Sequence, residues 1–385
     1  MSLARAALLA SLGLAAGCAT TTTTGQAREL ELPAVEVRAG SPERVALAAL
    51  NVEELFQVGM AAHTRGDYER AAMAFESVIA GHPDSPRVAD AHFNAGLSWE
   101  RMGESLRAVD HFLLLLGHQD GSAWEGAALR ASDNLYHLEA YADAAALLHE
   151  LAERSRHDPD LRIEALVKEG VCLLEMGRDV DAESRLRQAL GRYHLERRED
   201  EDSLDTLYPA QGQFFLGEVY RLRFESGELD AAQSLEGLEA DLTAKGALLL
   251  SAQGHYLRAI RMGEAKWAAA AGYELGRLYE IFHRQITRAR LPLELKDPAE
   301  RLAYQQVLQA EVRALLEKAL SAYERTLATA ERIGVQGRWR ERIEAGLDRV
   351  RSLLLEETLA PEPEPEPPTG TVPTEGEGEG DVPAA

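Results

Sequence analysis

Residues 51–83 read NVEELFQVGMAAHTRGDYERAAMAFESVIAGHP, and this stretch decides the fold. Gly59 and Ala71 are small residues placed where the two helices of a hairpin would touch. Gly66 lies where the chain must turn, and Phe75 is large enough to fill the space between the helices. A single hairpin of this kind cannot bury its apolar face, so we expect neighbouring hairpins to stack on it.

The same pattern returns further along the chain. Gly96 and Ala108 follow Gly59 and Ala71 by 37 residues, and Gly170 follows Gly96 by 74 residues. Matching residues are Leu97, Trp99, Gly103 and Phe112 in the second repeat, Ala131, Leu135, Tyr141, Ala144 and Leu148 in the third, and Leu166, Leu173, Gly177, Ala182 and Leu186 in the fourth. The third repeat has Ser132 in place of the glycine, which predicts a looser contact between its helices.

This register resembles the tetratricopeptide repeat (TPR) family, whose helix-turn-helix unit of about 34 residues repeats an apolar residue, Gly, Ala, Phe and a closing Pro. Leu55, Val58 and Pro83 complete the match in the first repeat, and the resemblance covers about residues 45–225. The alternative is an Ala-rich helical bundle in which small residues recur at a period of 3.6. Co-occurrence of Gly, Ala and Phe at one register in two successive repeats favours the TPR interpretation. The resemblance predicts an all-α fold, an α-solenoid of TPR helical hairpins.

Beyond the four repeats at residues 42–190, the pattern weakens. Residues 191–262 are predicted to contain a charged loop (191–207) and degenerate repeats (208–262), which begin with Phe215, Leu216, Gly217 and Tyr220. Residues 263–359 are predicted to form long C-terminal helices, because Trp267, Ala270, Ala271, Leu275, Leu278, Tyr279 and Phe282 make a wide apolar stripe. Gly272 and Gly276 are spaced by four residues, which permits close helix contact.

The last segment, residues 360–385, is an acidic Pro/Glu/Gly tail. It carries seven acidic residues, no basic residue and no large apolar residue except two valines. Such a composition cannot offset the entropy of an ordered chain, so the sequence predicts disorder.

Residues 1–17 have the parts of a secretory signal peptide, with one Arg, an apolar run and small residues before Cys18. The segment 14–18, LAAGC, resembles the bacterial lipobox, although Ala15 stands where Leu is usual. That resemblance implies cleavage before Cys18 and lipid on its sulfur and new amine. An ordinary cleaved signal followed by a free cysteine is the alternative. Ala19 resembles the residue that directs lipoproteins to the outer membrane, and residues 18–41 suit a flexible lipidated tether.

Composition and motifs argue against several classes of function. A net charge of −23 opposes nucleic-acid binding, which needs a basic face. Apart from Cys18, Cys172 is alone and lies in an apolar run, so we expect a core residue and no disulfide framework. No catalytic, cofactor or metal motif appears, and His149, Glu150 and His157 are too poorly spaced for a metal site. We therefore expect no enzyme, cofactor or metal; an unrecognised envelope hydrolase is the minor alternative.

Binding through a groove is the remaining function. In TPR folds the first helix of each hairpin lines that groove, and the resemblance assigns three residues of each repeat to it. The assigned residues are Phe56, Met60 and His63, then Phe93, Leu97 and Glu100, then Leu129, Asp133 and Tyr136, then Val167, Val171 and Leu174. Core packing between repeats is the alternative role for the same residues. Chaperone-binding TPRs hold a terminal carboxylate with Lys, Asn and Arg, which are replaced by Phe56, Met60 and Phe93 here.

A largely apolar groove suits a partner helix or an extended peptide. The resulting hypothesis is a lipid-anchored scaffold for protein partners at the periplasmic side of the outer membrane. Residues 264–345 are loosely similar to TPR lipoproteins of gliding-motility machinery, through Trp267, Gly272, Tyr273, Gly276 and Tyr279. A factor for outer-membrane barrel or polysaccharide assembly is the alternative, since such systems use similar TPR lipoproteins.

Overall fold

The computed structural model describes residues 42–47, 49–117, 120–155, 157–197, 205–227, 229, 234–289 and 291–359. Across these ranges every regular element is an α-helix, which confirms the predicted all-α class. The predicted signal peptide, the tether with Cys18 and the acidic tail lie outside the described residues, so those assignments stay predictions.

The helices follow one another with short connections. They are α1 (Pro42–Leu47), α2 (Val52–Thr64), α3 (Tyr68–Gly81), α4 (Val88–Arg101), α5 (Ser105–Leu116), α6 (Gly121–His137), α7 (Tyr141–Arg154), α8 (Pro159–Glu175), α9 (Asp179–Glu196), α10 (Leu207–Ser226), α11 (Leu235–Arg261), α12 (Ala265–Arg288), α13 (Pro298–Ile333) and α14 (Arg338–Leu359). The pairs α2–α3, α4–α5, α6–α7 and α8–α9 are the four predicted repeats. The buried residues form a succession of clusters along the chain, as expected for a solenoid of stacked hairpins.

Close packing at glycine holds each regular hairpin together. A methyl group added at Gly59 would lie 2.7 Å from two ring carbons of Phe75, and one at Gly96 would lie 2.8 Å from the ring of Phe112. In the fourth repeat the same position, Gly170, packs against Leu186. The predicted helix contacts are therefore confirmed, because only glycine leaves room for the large residue opposite.

The third hairpin departs from the rule at two places. Ser132 replaces the contact glycine, is 1% exposed, and its hydroxyl donates a hydrogen bond to the carbonyl of Leu129 at 2.8 Å. Seven residues later, where Gly66, Gly103 and Gly177 make the other turns, Glu139 has a φ of 59°. Glu139 is the only non-glycine residue with positive φ in the part of the chain that the structure describes.

Two longer hairpins, α10–α11 and α12–α13, continue the stack. Gly217 of α10 packs against Tyr256 of α11, so the degenerate repeats keep the glycine contact of the regular ones. In α12, Gly272 packs against Thr326 and Gly276 packs against Tyr323, which confirms the close contact predicted from their spacing. The final helix, α14, packs on α12 and α13.

The predicted charged loop at 191–207 is shorter in the structure. Helix α9 runs on to Glu196, and α10 begins at Leu207. Leu190 and Tyr193 are buried and lie three residues apart on one face of α9, so packing carries the helix beyond the predicted start of the loop.

Candidate functional site

A cleft of about 1080 Å³ opens on the side where the first helices of the hairpins lie. Its walls come from the second hairpin to the last helix, α14. The lining residues are Glu100, Gly103, Ser105, Ser132, Asp133, Asn134, Tyr136, His137, Leu138, Leu148, Lys168, Val171, Cys172, Gln211, Phe215, Lys266, Trp267 and Arg338. Residues far apart in sequence thus share one concave site, which is the arrangement typical of binding clefts.

Several predicted groove residues lie in this cleft. Glu100, Asp133, Tyr136 and Val171 line it, each one or four residues after the glycine position of its repeat. Positions one and four residues after that glycine therefore face the cleft in the middle repeats. Their role in binding a partner stays a prediction.

Another set of predicted groove residues packs into the core instead. These residues precede the glycine position by three and are Phe56, Phe93, Leu129 and Val167. Val167 has no exposed surface, and the ring of Phe56 makes an edge contact with Phe75 at a centroid distance of 5.3 Å. Residues three apart lie on the same face of a helix. These four side chains therefore lie on the face that carries the glycine and contacts the second helix of the hairpin. All four pack in or against the core clusters, and a role for them in binding a partner stays a prediction.

The remaining predicted residues lie outside the cleft lining. Met60 is 49% exposed on the first hairpin, and the His63 ring lies against Tyr68 at a centroid distance of 5.2 Å. Leu97 and Leu174 are partly buried against the core clusters. The first hairpin therefore contributes no residue to the cleft wall.

Charged pairs connect the first helices within the cleft. An Arg130 guanidinium nitrogen lies 3.0 Å from Glu100 Oε1, which joins α6 to α4. Lys168 Nζ lies 2.6 Å from Asp133 Oδ1, which joins α8 to α6. The cleft lining is therefore mixed, with ion pairs between successive repeats among its apolar side chains.

Tyrosine hydroxyls extend these connections. The Tyr136 hydroxyl donates to Glu175 Oε1 at 3.0 Å, and the Tyr208 hydroxyl donates to Glu164 Oε1 at 2.5 Å. Burial, together with the neighbouring carboxylates, raises the pKa of both tyrosines, so they remain protonated donors at neutral pH. Side-chain contacts therefore link α4 to α6, α6 to α8 and α8 to α10.

The far wall of the cleft was missed by sequence reasoning. Gln211 and Phe215 come from α10, Lys266 and Trp267 from α12, and Arg338 from α14. Only Phe215 and Trp267 carried a sequence signal, and it indicated packing. Glu100 of α4 and Arg338 of α14 line the same cleft. No local sequence pattern predicts this, because it depends on the curvature of the whole stack.

A second cavity, of about 460 Å³, lies between α11, α12 and α13. Its floor consists of small residues such as Ala268, Ala269 and Ala322, and Lys318 and Arg325 stand at its edge. Helices α11 and α13 both pack against α12. The small side chains at this junction do not fill the space between the three helices.

Within the described ranges, no group of three or more His, Cys, Asp or Glu side chains is placed to hold a metal ion. None of the described helices has a stretch long and apolar enough to span a bilayer.

Comparison with known proteins identifies the repeat. Residues 55–85 match the sequence model of the tetratricopeptide repeat. No curated protein matches the chain. Together with the hairpin geometry, the match establishes an α-solenoid of TPR helical hairpins.

Three solved structures are among those that match this chain. A tetratricopeptide repeat protein from Parabacteroides merdae ATCC 43184 is 15% identical, with 78% of this chain and 98% of that chain covered and a TM-score of 0.38. A TPR repeats protein from Bacteroides fragilis NCTC 9343 is 13% identical, with coverage of 79% and 99% and a TM-score of 0.29. A Rap protein complexed with Competence and Sporulation Factor is 14% identical, with coverage of 80% and 76% and a TM-score of 0.35.

Proposed function

We propose that this chain is a non-enzymatic, lipid-anchored TPR scaffold that binds protein partners of a cell-envelope complex through the cleft. TPR solenoids are typically interaction scaffolds, and repetition of one hairpin extends a binding surface along the stack. The cleft carries the proposal, because helices α4, α6, α8, α10 and α12 all contribute to its wall.

A protein segment suits the chemistry of this cleft. Aromatic side chains such as Tyr136, Phe215 and Trp267 offer apolar contact, while Lys266 and Arg338 offer charge. Extended peptides combine side chains of both kinds with backbone hydrogen-bonding groups, so they can use the whole lining.

Capture of partners from solubilised envelopes tests the binding role. Tagged protein is compared with the double variant Lys266→Glu/Arg338→Glu, which alters the cleft, and with Lys318→Glu/Arg325→Glu, a matched change at the edge of the second cavity. We expect the first variant to lose the partner and the second to keep it. Equal recovery by all three proteins would exclude the cleft as the binding site.

The identity of the captured proteins decides between the two envelope pathways. Because residues 264–345 resemble gliding-motility lipoproteins, motor components are the expected partners. Recovery of barrel-assembly or polysaccharide-assembly proteins would support the other pathway.

The anchor is a separate part of the proposal and rests on the LAAGC segment at 14–18. Several acyl chains hold a protein durably, since each buried methylene contributes about 0.8 kcal/mol. We expect wild type in the outer-membrane fraction, facing the periplasm, and Cys18→Ala in the soluble fraction. Unchanged membrane association of the variant would contradict lipidation.

A further inference from the structure

Two exposed cations border the cleft with no carboxylate partner within 4.0 Å among the described residues. Lys266 lies in the first turn of α12, and Arg338 is the first residue of α14. Lys266 Nζ is 4.7 Å from the ring centroid of Trp267, and the Arg338 guanidinium carbon is 5.2 Å from that of Trp339. In a chain of net charge −23, this edge of the cleft offers positive charge to an anionic ligand.

Helix ends add to that charge. Both α12 and α14 begin at this edge, so their first-turn N–H groups and the positive ends of their dipoles lie beside the two cations. The cap residue of α12, Glu264, makes no side-chain capping bond and accepts from the hydroxyl of Thr206 instead. The first-turn donors of α12 are therefore not taken by a side-chain cap.

The cleft also contains buried polar atoms without partners. Asn134 Oδ1 and Trp267 Nε1 have no hydrogen bond within the described structure, and both residues line the cleft. An unbonded buried polar atom costs about 1–3 kcal/mol. The N–H and C=O groups of a peptide backbone are the complementary partners for these two atoms.

The chain itself contains a segment of matching charge. Residues 360–385 carry seven acidic residues and no basic one, and the block at 375–381 reads EGEGEGD. Glycine at alternate positions removes every second side chain, so the backbone of this block can approach a wall closely.

The tail is long enough to return to the cleft. Helix α14 has 22 residues and is therefore about 33 Å long, so its end at Leu359 lies about that far from Arg338. An extended, proline-rich chain advances about 3.1 Å per residue. About 11 residues span the length of α14 at that rise, and the tail has 26. The block at 375–381 begins beyond that point.

We propose that residues 375–381 dock in the cleft of the same molecule, with their carboxylates at Lys266 and Arg338 and their backbone beside Asn134 and Trp267. The inference rests on the proposed function in one respect, because it treats the same cleft as a peptide-binding surface. A protein partner must then displace the tail, which makes the tail an intramolecular competitor.

Carbodiimide cross-linking of the full chain tests the docking. This reagent joins a carboxylate to a lysine amine only when the two are in contact. The chain has five lysines, and Lys266, Lys296 and Lys318 are all exposed, so the latter two are matched controls outside the cleft. We expect residues 375–381 to cross-link to Lys266 about tenfold more often than to either control, and this preference to fall in 1 M NaCl.

Two variants sharpen the test. Arg338→Glu should lower the yield at Lys266 several-fold, whereas Arg325→Glu, an equal change of charge outside the cleft, should leave it unchanged. Circular dichroism confirms that both variants remain helical. Equal yields at the three exposed lysines would overturn the proposal.

A mixture of isotope-labelled and unlabelled chains separates docking within one molecule from docking between two copies. Docking within one molecule gives no cross-link between a labelled and an unlabelled chain, so mixed-label cross-links in the statistical proportion expected for pairing between copies would overturn the intramolecular proposal. The measurement needs no partner protein. Tail docking can therefore fail while partner capture by the cleft succeeds, and partner capture can fail while the tail docks.

Discussion

The ring of Tyr323 in α13 lies directly against Gly276 in α12, where an added methyl group would be 2.5 Å from ring carbon Cε1. Gly346 of α14 approaches the same ring, with a corresponding distance of 2.7 Å to Cζ. The Tyr323 hydroxyl donates to Glu280, on the same helix as Gly276. One buried tyrosine thus fixes the spacing of the three C-terminal helices.

Gly276→Ala should therefore destabilise the protein. The Tyr323 ring is fully buried and contacts Gly346 as well, so the methyl group overpacks the contact, and we expect the free energy of unfolding to fall by about 1–3 kcal/mol. Urea unfolding followed by circular dichroism measures the change. Gly246→Ala is the matched control, because Gly246 lies within α11 with no atom near its Cβ position. That variant should gain about 0.5–1 kcal/mol from helix propensity; a loss at Gly246 equal to that at Gly276 would refute the packing argument.

Glu139→Gly should stabilise the third hairpin. Glu139 has a φ of 59°, a left-handed conformation that costs a residue with a side chain about 1–2 kcal/mol and glycine almost nothing. Part of this gain is offset by the greater freedom of glycine in the unfolded chain, so we expect a net increase of about 0.5–1 kcal/mol. Thermal unfolding reports the difference.

The reverse change at the equivalent turn is the control for Glu139. Gly103 has a φ of 78° and no atom within 4 Å of its Cβ position, so Gly103→Ala tests backbone strain without a clash. We expect a loss of about 1 kcal/mol. If Gly103→Ala left the free energy of unfolding unchanged, backbone conformation could not account for an increase in stability of Glu139→Gly.

The regular repeats could be predicted because their contact residues keep one spacing. Phe75 follows Gly59 by 16 residues, and Leu186 follows Gly170 by the same interval. In the fifth hairpin Tyr256 follows Gly217 by 39 residues, so the same contact has no fixed offset to find. The longer second helix and its connection conceal a packing rule that the structure retains.

The cleft was only partly predictable for a different reason. Glu100 and Asp133 could be placed from their register within a repeat, but Lys266 and Arg338 depend on how far the stack curves. Curvature is the sum of small rotations between hairpins, and no single residue pair encodes it. The ion pairs in the walls could not be predicted either, because pairs such as Lys168 and Asp133 form between repeats.

Glu274→Gln should make stability less dependent on pH. Burial, and then the charge of Glu218, raises the pKa of Glu274 to about 7, despite Arg221 and Arg277 nearby. Between the ordinary carboxyl pKa and 7, the unfolded chain ionises while the folded chain keeps its proton. The free energy of unfolding therefore falls as pH rises through this window, by about 3 kcal/mol at most.

The Gln variant cannot ionise, so its advantage over wild type should grow from pH 4.5 to 7 and stay level above pH 7. Urea unfolding across this range measures the difference.

Glu183→Gln is the control of opposite sign. Burial alone would raise the pKa of Glu183, but hydrogen bonds from Tyr220, Arg223 and Arg187 lower it to about 2. The ionised Glu183 carboxylate contributes its full stabilisation to the folded wild type above pH 4.5, and this contribution is lost as the pH falls toward 2. The Gln variant lacks the contribution, so its free energy of unfolding at neutral pH should be lower than that of wild type. Parallel pH profiles for wild type and Glu274→Gln would contradict the assignment.

Cys172 should be unreactive in the folded protein. The residue is 1% exposed in α8, and burial, reinforced by the carboxylate of Glu175, raises the pKa of its thiol to about 12. Thiolate is the reactive form, so a Cys18→Ser variant, which leaves one thiol, should react with a disulfide reagent at pH 8 at least about 100-fold more slowly than the same variant in urea. Cys18→Ser/Cys172→Ala gives the background rate. Rapid labelling of the folded variant would show that α8 opens readily beside the cleft, and the wall that holds Asp133 and Lys168 in place would then be mobile rather than fixed.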